Sequence, residues 1–307
     1  MRGGEPRAAG RAARVVAQAK INLTLRVLAR EESGYHQIET LFCRLDVGDD
    51  VGVRVTSGGR ALDCRGADVG PVERNLAYRA AALYADTAAW PRGFAIELDK
   101  RIPVGAGLGG GSADAGAVLR SLNALNPAPL PTTQLLAIAT RLGADVPYLA
   151  SDAPLALAWG RGDRMIVLPP LPPRPVVLLV PPFPVETEAA YEWLDQAMGG
   201  PGITGEMPEH HDGVYSLPQV AAWDSVTRIA ANAFSRVVAR RHPEIDRYLG
   251  VLGALGGCRI AQLTGSGSAL FGVFDRDPDL APLAALEGCR AIRTDTVGRV
   301  AQVEVID

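Results

Sequence analysis

Of the 31 lysine and arginine residues in this chain, only two are lysine, Lys20 and Lys100. A chain so rich in arginine keeps lysine where a compact ammonium on a flexible stem does something that a planar guanidinium does not. Lys20 lies in AKINLTL (residues 19–25), and Lys100 opens KRIPVGAGLGGGSADAG (residues 100–116), the densest glycine cluster in the sequence. Ammonium groups and glycine-rich backbone together point to phosphate chemistry. A cation balances anionic charge, and N–H groups with no Cβ beside them approach a phosphate closely. Asp145, in LGADVP (residues 142–147), adds a carboxylate that can accept a proton from an alcohol. Each residue has an ordinary reading too: a solvated strand-end lysine, a tight turn, or a helix N-cap at Asp145 ahead of Pro147.

The flanks of the glycine cluster favour an anion site. Residues 94–98 (FAIEL) alternate as a half-buried strand, and Ala115, Val118, Leu119, Leu122 and Leu125 recur at helical spacing. Ser112 is then the predicted N-cap, with Asp114 in the first turn. A strand, a glycine loop and a helix N-terminus supply unpaired donors and a positive dipole end to a phosphate-bearing ligand.

Familiar phosphate loops are excluded in turn. Gly105, Gly107 and Gly110 satisfy G-x-G-x-x-G, but no acidic residue follows at about twenty positions to hold a ribose. Gly110-Gly111 leads to Ser112 without the Gly-Lys-Ser/Thr of a Walker loop. No His-Arg-Asp or Asp-Phe-Gly element of a protein kinase follows either.

The run Pro103-Val104-Gly105-Ala106-Gly107-Leu108-Gly109-Gly110-Gly111-Ser112 resembles the P-x-x-x-G-L-G-S-S loop of the GHMP kinase superfamily. AKINLTL, GYHQIETLF (residues 34–42), NLAYRAA (75–81), LGADVP and LTGSGSALFGVFD (263–275) follow in the order of those members that act on a cytidine-diphosphate-linked alcohol. The similarity spans roughly residues 15–300. It implies an α+β, two-domain GHMP kinase architecture, with a ribosomal-S5-like N-terminal domain, an α/β-sandwich C-terminal domain and the active site between them. It also implies ATP and Mg2+ as cofactors. By the same resemblance Asp145 is the base, and Lys20 steadies the developing alkoxide. Asn22, two positions along the same strand face, orients the hydroxyl. Tyr35, His36 and Phe42 cradle the cytosine, Thr187 lies near the substrate, and Gly265, Ser266 and Gly267 close over its phosphates. Asn75 and Lys100 belong around the adenine, and Ser112 near the phosphate oxygens and the metal. Phe42 also suits a core position, His36 a surface turn and Thr187 a helix N-cap. Another GHMP small-molecule kinase and a non-catalytic nucleotide-binding paralogue are the rival readings.

The elements that must position these residues can be read coarsely. Residues 1–14 form a predicted disordered tail without an apolar signal core, 15–157 the ATP-binding domain and 158–307 the second domain. Strands are expected at 21–27, 41–45, 51–55, 94–98, 176–180, 270–274 and 301–306, and helices at 76–88, from Thr132 or Thr133 to a stop at Gly143, and at 187–198. The segment 199–222, with His210-His211-Asp212, reads as a polar loop or, less simply, a metal site. Asn232-Ala233-Phe234-Ser235 departs from the Asn-Asp-Leu/Phe-Glu of many relatives.

Composition sets outer bounds. A net charge of −3 offers no basic field for nucleic acid, and no run of eighteen apolar residues exists to cross a membrane. Cys43, Cys64, Cys258 and Cys289 lack C-x-x-C spacing and read as buried free thiols. The expected protein is cytoplasmic, a monomer or weak homodimer, with a small-molecule substrate as its partner.

Overall fold

The computed structural model describes residues 10–199 and 217–306. The first half runs β1 (Ala12–Arg30), β2 (His36–Thr56), β3 (Arg60–Arg65), α1 (Leu76–Ala88), β4 (Gly93–Asp99), α2 (Gly110–Leu125), α3 (Thr132–Thr140) and α4 (Val146–Ala150). There follow β5 (Leu155–Gly160), β6 (Arg164–Leu168), β7 (Pro175–Val180), α5 (Thr187–Ala197), α6 (Leu217–Val220), α7 (Trp223–Ile229), α8 (Ser235–Arg241) and α9 (Glu244–Ala254). The chain closes with β8 (Cys258–Leu263), β9 (Leu270–Phe274), β10 (Arg290–Asp295) and β11 (Glu304–Ile306).

Two sheets result. The first has the order β11-β1-β2-β4-β3, with β5 joined to β2 and β6 to β5; the second has the order β10-β7-β9-β8. β2 is the branch point, because its early residues (Ile38–Cys43) pair β5 and its later ones (Asp50–Thr56) pair β4, while β1 follows its other edge. One core lies between the first sheet and α1 to α4, and a second packs β7, β8 and β9 against α5, α8 and α9. Leu25, Val27 and Ile38, at one end of the β1–β2 pair, are buried in the second core. That end of the long hairpin therefore ties the two sheets together.

Three sequence boundaries shift. The strand expected from residue 21 begins at Ala12, inside the predicted 1–14 tail, and pairs Ala12–Arg14 with β11 as well as with β2. The division at residue 157 falls within β5, and the first sheet runs on to Leu168 before recruiting β11 from the far end of the chain. α3 is preceded by Pro131 and stops at Thr140, with Arg141 rather than Gly143 at its end. Of the cysteines Cys43 is buried, the other three are half-buried, and all four are free.

β1 shows why the site forms here. Its burial alternates at first and then becomes continuous from Ala17 to Val27, so polar side chains in that stretch lie under protein on both faces of the strand. Gln18, Lys20, Asn22 and Thr24 are all buried there. Buried polar groups are tolerated when hydrogen-bonded, and bulges that re-aim side chains recur beside active sites. The register of β1 on β2 shifts on both sides of the pairs formed by Lys20, Ile21 and Asn22.

Candidate active site

Lys20 and Asp145 meet. The Lys20 ammonium lies 3.2 Å from Asp145 Oδ2, and it donates to Asn22 Oδ1 at 2.8 Å and to the Gly107 carbonyl at 3.0 Å. Its three protons are thereby matched by three oxygens. The lysine side chain is 4% exposed and that of Asp145 28%, so the carboxylate is the member of the pair that faces solvent. Asp145 precedes α4, yet its side chain accepts no bond from that helix, and Pro147 removes one of the amides it would have capped. The simple N-cap reading therefore fails, and the carboxylate is left to Lys20 and to whatever approaches it from solvent.

Two glycine loops close against this pair. Gly105, Gly107 and Gly109 have φ of 71°, 76° and 75°, a region in which a side chain is strained. Gly109 is the N-cap of α2, and Ser112 lies inside the first turn instead of capping it. The left-handed turn at Gly109 starts the helix three residues earlier than the capping pattern suggested. The Leu108 carbonyl accepts from the Lys20 amide at 3.0 Å, so the loop is anchored to β1. The second loop joins β8 to β9 and touches the first through backbone: the Ala269 amide donates to the Ala106 carbonyl at 3.2 Å, and a Cβ on Gly107 would meet the Thr264 carbonyl at 2.4 Å. Asn22 Oδ1 accepts from the Gly265 amide at 3.0 Å, Asn232 Nδ2 donates to the Leu263 and Gly265 carbonyls at 2.9 Å each, and the Ser266 and Thr187 hydroxyls are 3.0 Å apart. Thr187 thus touches the loop, and Glu186 occupies the N-cap position of α5.

Lys100 lies beneath the phosphate loop. Its ammonium is buried between Asp49 and Asp114, 2.6 Å from the latter's Oδ2, and Asp49 also accepts from the Ile102 amide at 2.8 Å. Burial pushes the Asp114 carboxyl up to about 7 against the pull of Lys100, and the two carboxylates more than offset the effect of burial on Lys100, leaving it above its usual value. The Lys100 side chain, placed by resemblance on the adenine side, is held in a clamp with Asp49 of β2 and Asp114 of α2. Asn75 is likewise engaged locally, capping α1 by accepting from the Ala77 amide at 2.9 Å.

The ring cluster divides. Tyr35 is exposed at the tip of the β1–β2 hairpin, with the Arg161 guanidinium 4.0 Å from its ring centre and Glu31 paired to that arginine. His36 Nε2 lies 2.7 Å from Asp195 Oδ1, Asp195 also pairs with Arg30 at 3.2 Å, and the imidazole stacks on Tyr191 with centroids 4.5 Å apart. Burial pushes the Tyr191 hydroxyl up to about 12, and the negative charge of Asp145 adds to the shift. Phe42, expected among the ligand-facing rings, is fully buried and stacked on Tyr148 at 4.9 Å. It packs 5.5 Å below the Lys20 ammonium and supports the site from the core.

Residues 75–157 match the family described as GHMP kinases N terminal domain. Over 262 residues, the chain is 38% identical to the 4-diphosphocytidyl-2-C-methyl-D-erythritol kinase of Pelotomaculum thermopropionicum, covering 84% of this chain and 88% of that protein. The chain belongs to the 4-diphosphocytidyl-2-C-methyl-D-erythritol kinase family. The enzyme of that name from Thermus thermophilus is 40% identical over 90% of this chain and 92% of its own length. A crystal structure of 4-(cytidine 5'-diphospho)-2C-methyl-D-erythritol kinase superposes with a TM-score of 0.74 at 37% identity, covering 92% and 98% of the two chains. Homoserine kinase from Cytophaga hutchinsonii shares the fold with a TM-score of 0.61 at 16% identity over the whole of both chains. The protein is an ATP-dependent small-molecule kinase of two-sheet GHMP architecture.

Three residues in contact with the candidate side chains His36 and Tyr35 escaped the sequence reading: Tyr191, Asp195 and Arg161. Thr187, Tyr191 and Asp195 stand at i, i+4 and i+8 on α5, so one helix face delivers all three, and that spacing was the available signal. Arg161 carried no signal, being one arginine among many. Asn232, in the segment that departs from many members of the kinase family, holds the second glycine loop with its side chain. His210, His211 and Asp212 lie outside the described residues. Among those described, no three His, Cys, Asp or Glu are gathered to hold a metal, and no helix is long and apolar enough to cross a membrane.

Proposed function

We propose that the protein transfers the γ-phosphoryl group of ATP to the 2-hydroxyl of 4-diphosphocytidyl-2-C-methyl-D-erythritol, a step in non-mevalonate isoprenoid precursor synthesis. The observation that carries the mechanism is the Lys20–Asp145 pair, 3.2 Å apart beside two touching glycine loops. The acceptor oxygen attacks the γ-phosphorus, its bond to the β,γ-bridging oxygen breaks, ADP departs, and the hydroxyl proton passes to Asp145. Lys20 balances negative charge on the attacking oxygen, and the amides of the loop from Pro103 to Ser112 cradle the phosphates at the start of α2. Alignment of the reactants and charge balance supply most of the acceleration in such a transfer.

Mg2+ fits a site of this kind. It takes few protein ligands and shares its shell with water and substrate phosphates, so it needs no gathered cage of the kind that is absent among the described residues. In this reading the Ser112 hydroxyl is the hard oxygen donor at hand. When bound, the ion neutralises phosphate charge. Asn75 and Pro103 border the nucleotide, Tyr35, His36 and Tyr191 the cytosine, and Thr187, Gly265, Ser266 and Gly267 the acceptor's diphosphate. The setting is cytoplasmic, and the enzyme acts as a monomer or weak homodimer.

The test is phosphoryl transfer to candidate acceptors, read by mass. The cytidine-linked erythritol should gain one phosphoryl group in the presence of ATP and Mg2+, while free methylerythritol phosphate, mevalonate and homoserine should not. Equal turnover of an acceptor without cytidine would return the protein to the wider set of GHMP small-molecule kinases. ATP binding with no acceptor turned over would favour a nucleotide-binding paralogue.

A further inference from the structure

Arg44 is a buried cation with an unusual set of partners. It is 2% exposed, and burial pushes its guanidinium down to about 10. Among the described residues no carboxylate comes within ion-pair distance of it, although Asp152 contributes a favourable field and Arg120 an opposing one. Its donors instead meet backbone. Nε donates to the Ala153 carbonyl at 2.9 Å, and Nη2 reaches the carbonyls of Tyr148, Leu149 and Ser151 at 2.8, 3.1 and 2.8 Å.

Those carbonyls belong to the C-terminal end of α4 and the turn after it. All five residues of α4 are buried. The Tyr148 carbonyl also accepts from the Ser151 amide and hydroxyl at 3.1 and 2.7 Å, whereas a helix this short gives those of Leu149 and Ser151 no partner of its own, and here protein covers them. A cation at a helix C-terminus also complements the dipole. At the other end of α4 stands Asp145, paired with Lys20.

Lys20 and Arg44 are direct cross-strand partners on β1 and β2, so their side chains leave the same face of the sheet. One rung of the hairpin therefore grips both ends of α4: Lys20 through the Asp145 carboxylate, Arg44 through the terminal carbonyls. A buried cation is costly to keep where an apolar side chain of similar volume would fill the space. We infer that Arg44 is a positioning residue for the phosphoryl transfer, fixing the seat of α4 so that Asp145 meets Lys20 and the incoming hydroxyl. The inference rests on the assignment of Asp145 as the proton acceptor, and its test separates the two.

Four variants of the full chain decide it: Arg44→Ala, Arg44→Lys, Asp145→Asn, and Arg44→Ala combined with Asp145→Asn. A misplacement of the base on the ångström scale predicts that Arg44→Ala lowers kcat about ten- to a hundredfold, with KM for ATP and acceptor changed by less than about threefold. Guanidinium at low millimolar concentration should restore kcat by entering the vacated space, and sodium chloride of equal ionic strength should not. In the combined variant the loss should match that of Asp145→Asn alone, because a group acting through Asp145 has nothing left to position. Folded Arg44→Ala protein with wild-type kcat overturns the inference, as does a loss that guanidinium leaves unchanged and that adds fully to Asp145→Asn. Should Arg44→Ala fail to fold, Arg44→Lys decides: reduced kcat at unchanged KM supports the positioning role, and wild-type kcat overturns it. Near-normal turnover by Asp145→Asn alone would instead remove the base assignment.

Discussion

Lys20 and Asn22 are joined by a 2.8 Å hydrogen bond that fixes which way the asparagine amide points. Its Oδ1 receives the Lys20 ammonium and, at 3.0 Å, the Gly265 amide, while its Nδ2 donates to Thr40 Oγ1 at 2.7 Å. Thr40 in turn donates to the Thr24 carbonyl at 2.7 Å. Both ends of the amide are thus engaged by protein. Asn22, expected from sequence to orient the substrate hydroxyl, therefore also holds the lysine and the second glycine loop in place.

Asn22→Ala removes an acceptor from a buried ammonium and a donor from Thr40. The expected outcome is a fall in kcat of about tenfold or more, since unpaired buried polar groups cost about 1–3 kcal/mol each. Thermal denaturation should show a lowered Tm alongside it. Steady-state kinetics with unchanged kcat would mean that Lys20 finds its place without this bond.

The catalytic pair gives the largest expected effects. Asp145→Asn and Lys20→Ala should each reduce kcat by roughly a hundredfold or more, the scale of a general base or charge-stabilising group. Lys20→Arg should also be impaired, because the pocket between Asn22, Gly107 and Asp145 is built for a compact ammonium. Circular dichroism should report folded protein in each case. A folded Asp145→Asn enzyme with normal turnover would leave the proton without its proposed acceptor.

How much of this was legible in the sequence differs residue by residue. The glycine run declared an anion loop because its spacing and its strand and helix flanks are local features, and the Lys20–Asp145 pairing followed from family likeness. Arg44, Asp195 and Arg161 left no mark, because their partners lie far along the chain; the contact from Arg44 to Tyr148 spans 104 positions and that from His36 to Asp195 spans 159. The length of β1 was underestimated for a physical reason. Its first residues, Ala12 to Val16, do alternate but are too few to stand out from the arginine-rich tail beside them, and from Ala17 to Val27 burial on both faces erases the alternation that would have joined them to the strand expected at 21–27. Ser112 looked like a cap because serine caps helices well, but a glycine at positive φ starts the turn earlier.

The three glycines at positive φ in the loop from Pro103 to Ser112 should respond unequally to alanine. A Cβ on Gly105 meets nothing within 4 Å, so only the strained φ matters, a cost of about 1 kcal/mol, and activity should largely survive. A Cβ on Gly107 would lie 2.4 Å from the Thr264 carbonyl, forcing the two loops apart, so ATP affinity and Tm should both fall. On Gly109 it would press on the Lys20 side chain at 3.0–3.1 Å, so the loss should appear chiefly in kcat. Isothermal titration with ATP and steady-state kinetics separate these outcomes, and a uniform response of all three would contradict them.

The clamp around Lys100 should behave asymmetrically. Lys100→Met leaves two buried carboxylates facing each other and should destabilise the protein by about 3–5 kcal/mol. Asp114→Asn keeps the Lys100–Asp49 pair and replaces a carboxyl that burial already holds near 7, so its cost should be below about 1.5 kcal/mol. Urea denaturation of both variants is the check. Equal losses would show that Asp114 carries a full share of the clamp.

The acceptor pocket supplies the last prediction. If Tyr35 and Tyr191 flank the cytosine, removing either ring forfeits stacking of about 1–3 kcal/mol, so Tyr35→Ala and Tyr191→Ala should raise KM for the cytidine-linked acceptor about tenfold or more while KM for ATP holds. Asp195 fixes the imidazole of His36 through Nε2, which leaves only Nδ1 of that ring for a base edge. His36→Ala should therefore relax the preference for cytidine over uridine acceptors, and Asp195→Asn should do so more weakly, since an amide can still hold the ring. Phe42→Ala is the contrast. Its ring is fully buried on Tyr148, so the change should cost about 3–5 kcal/mol of stability, with KM for the acceptor altered no more than KM for ATP. Kinetics of these variants with paired cytidine and uridine acceptors, beside their melting curves, would distinguish a base pocket from a packing cluster: a parallel rise of both KM values in Tyr35→Ala and Tyr191→Ala would move the cytosine elsewhere, and a selective acceptor defect in a stable Phe42→Ala enzyme would bring that ring back to the ligand.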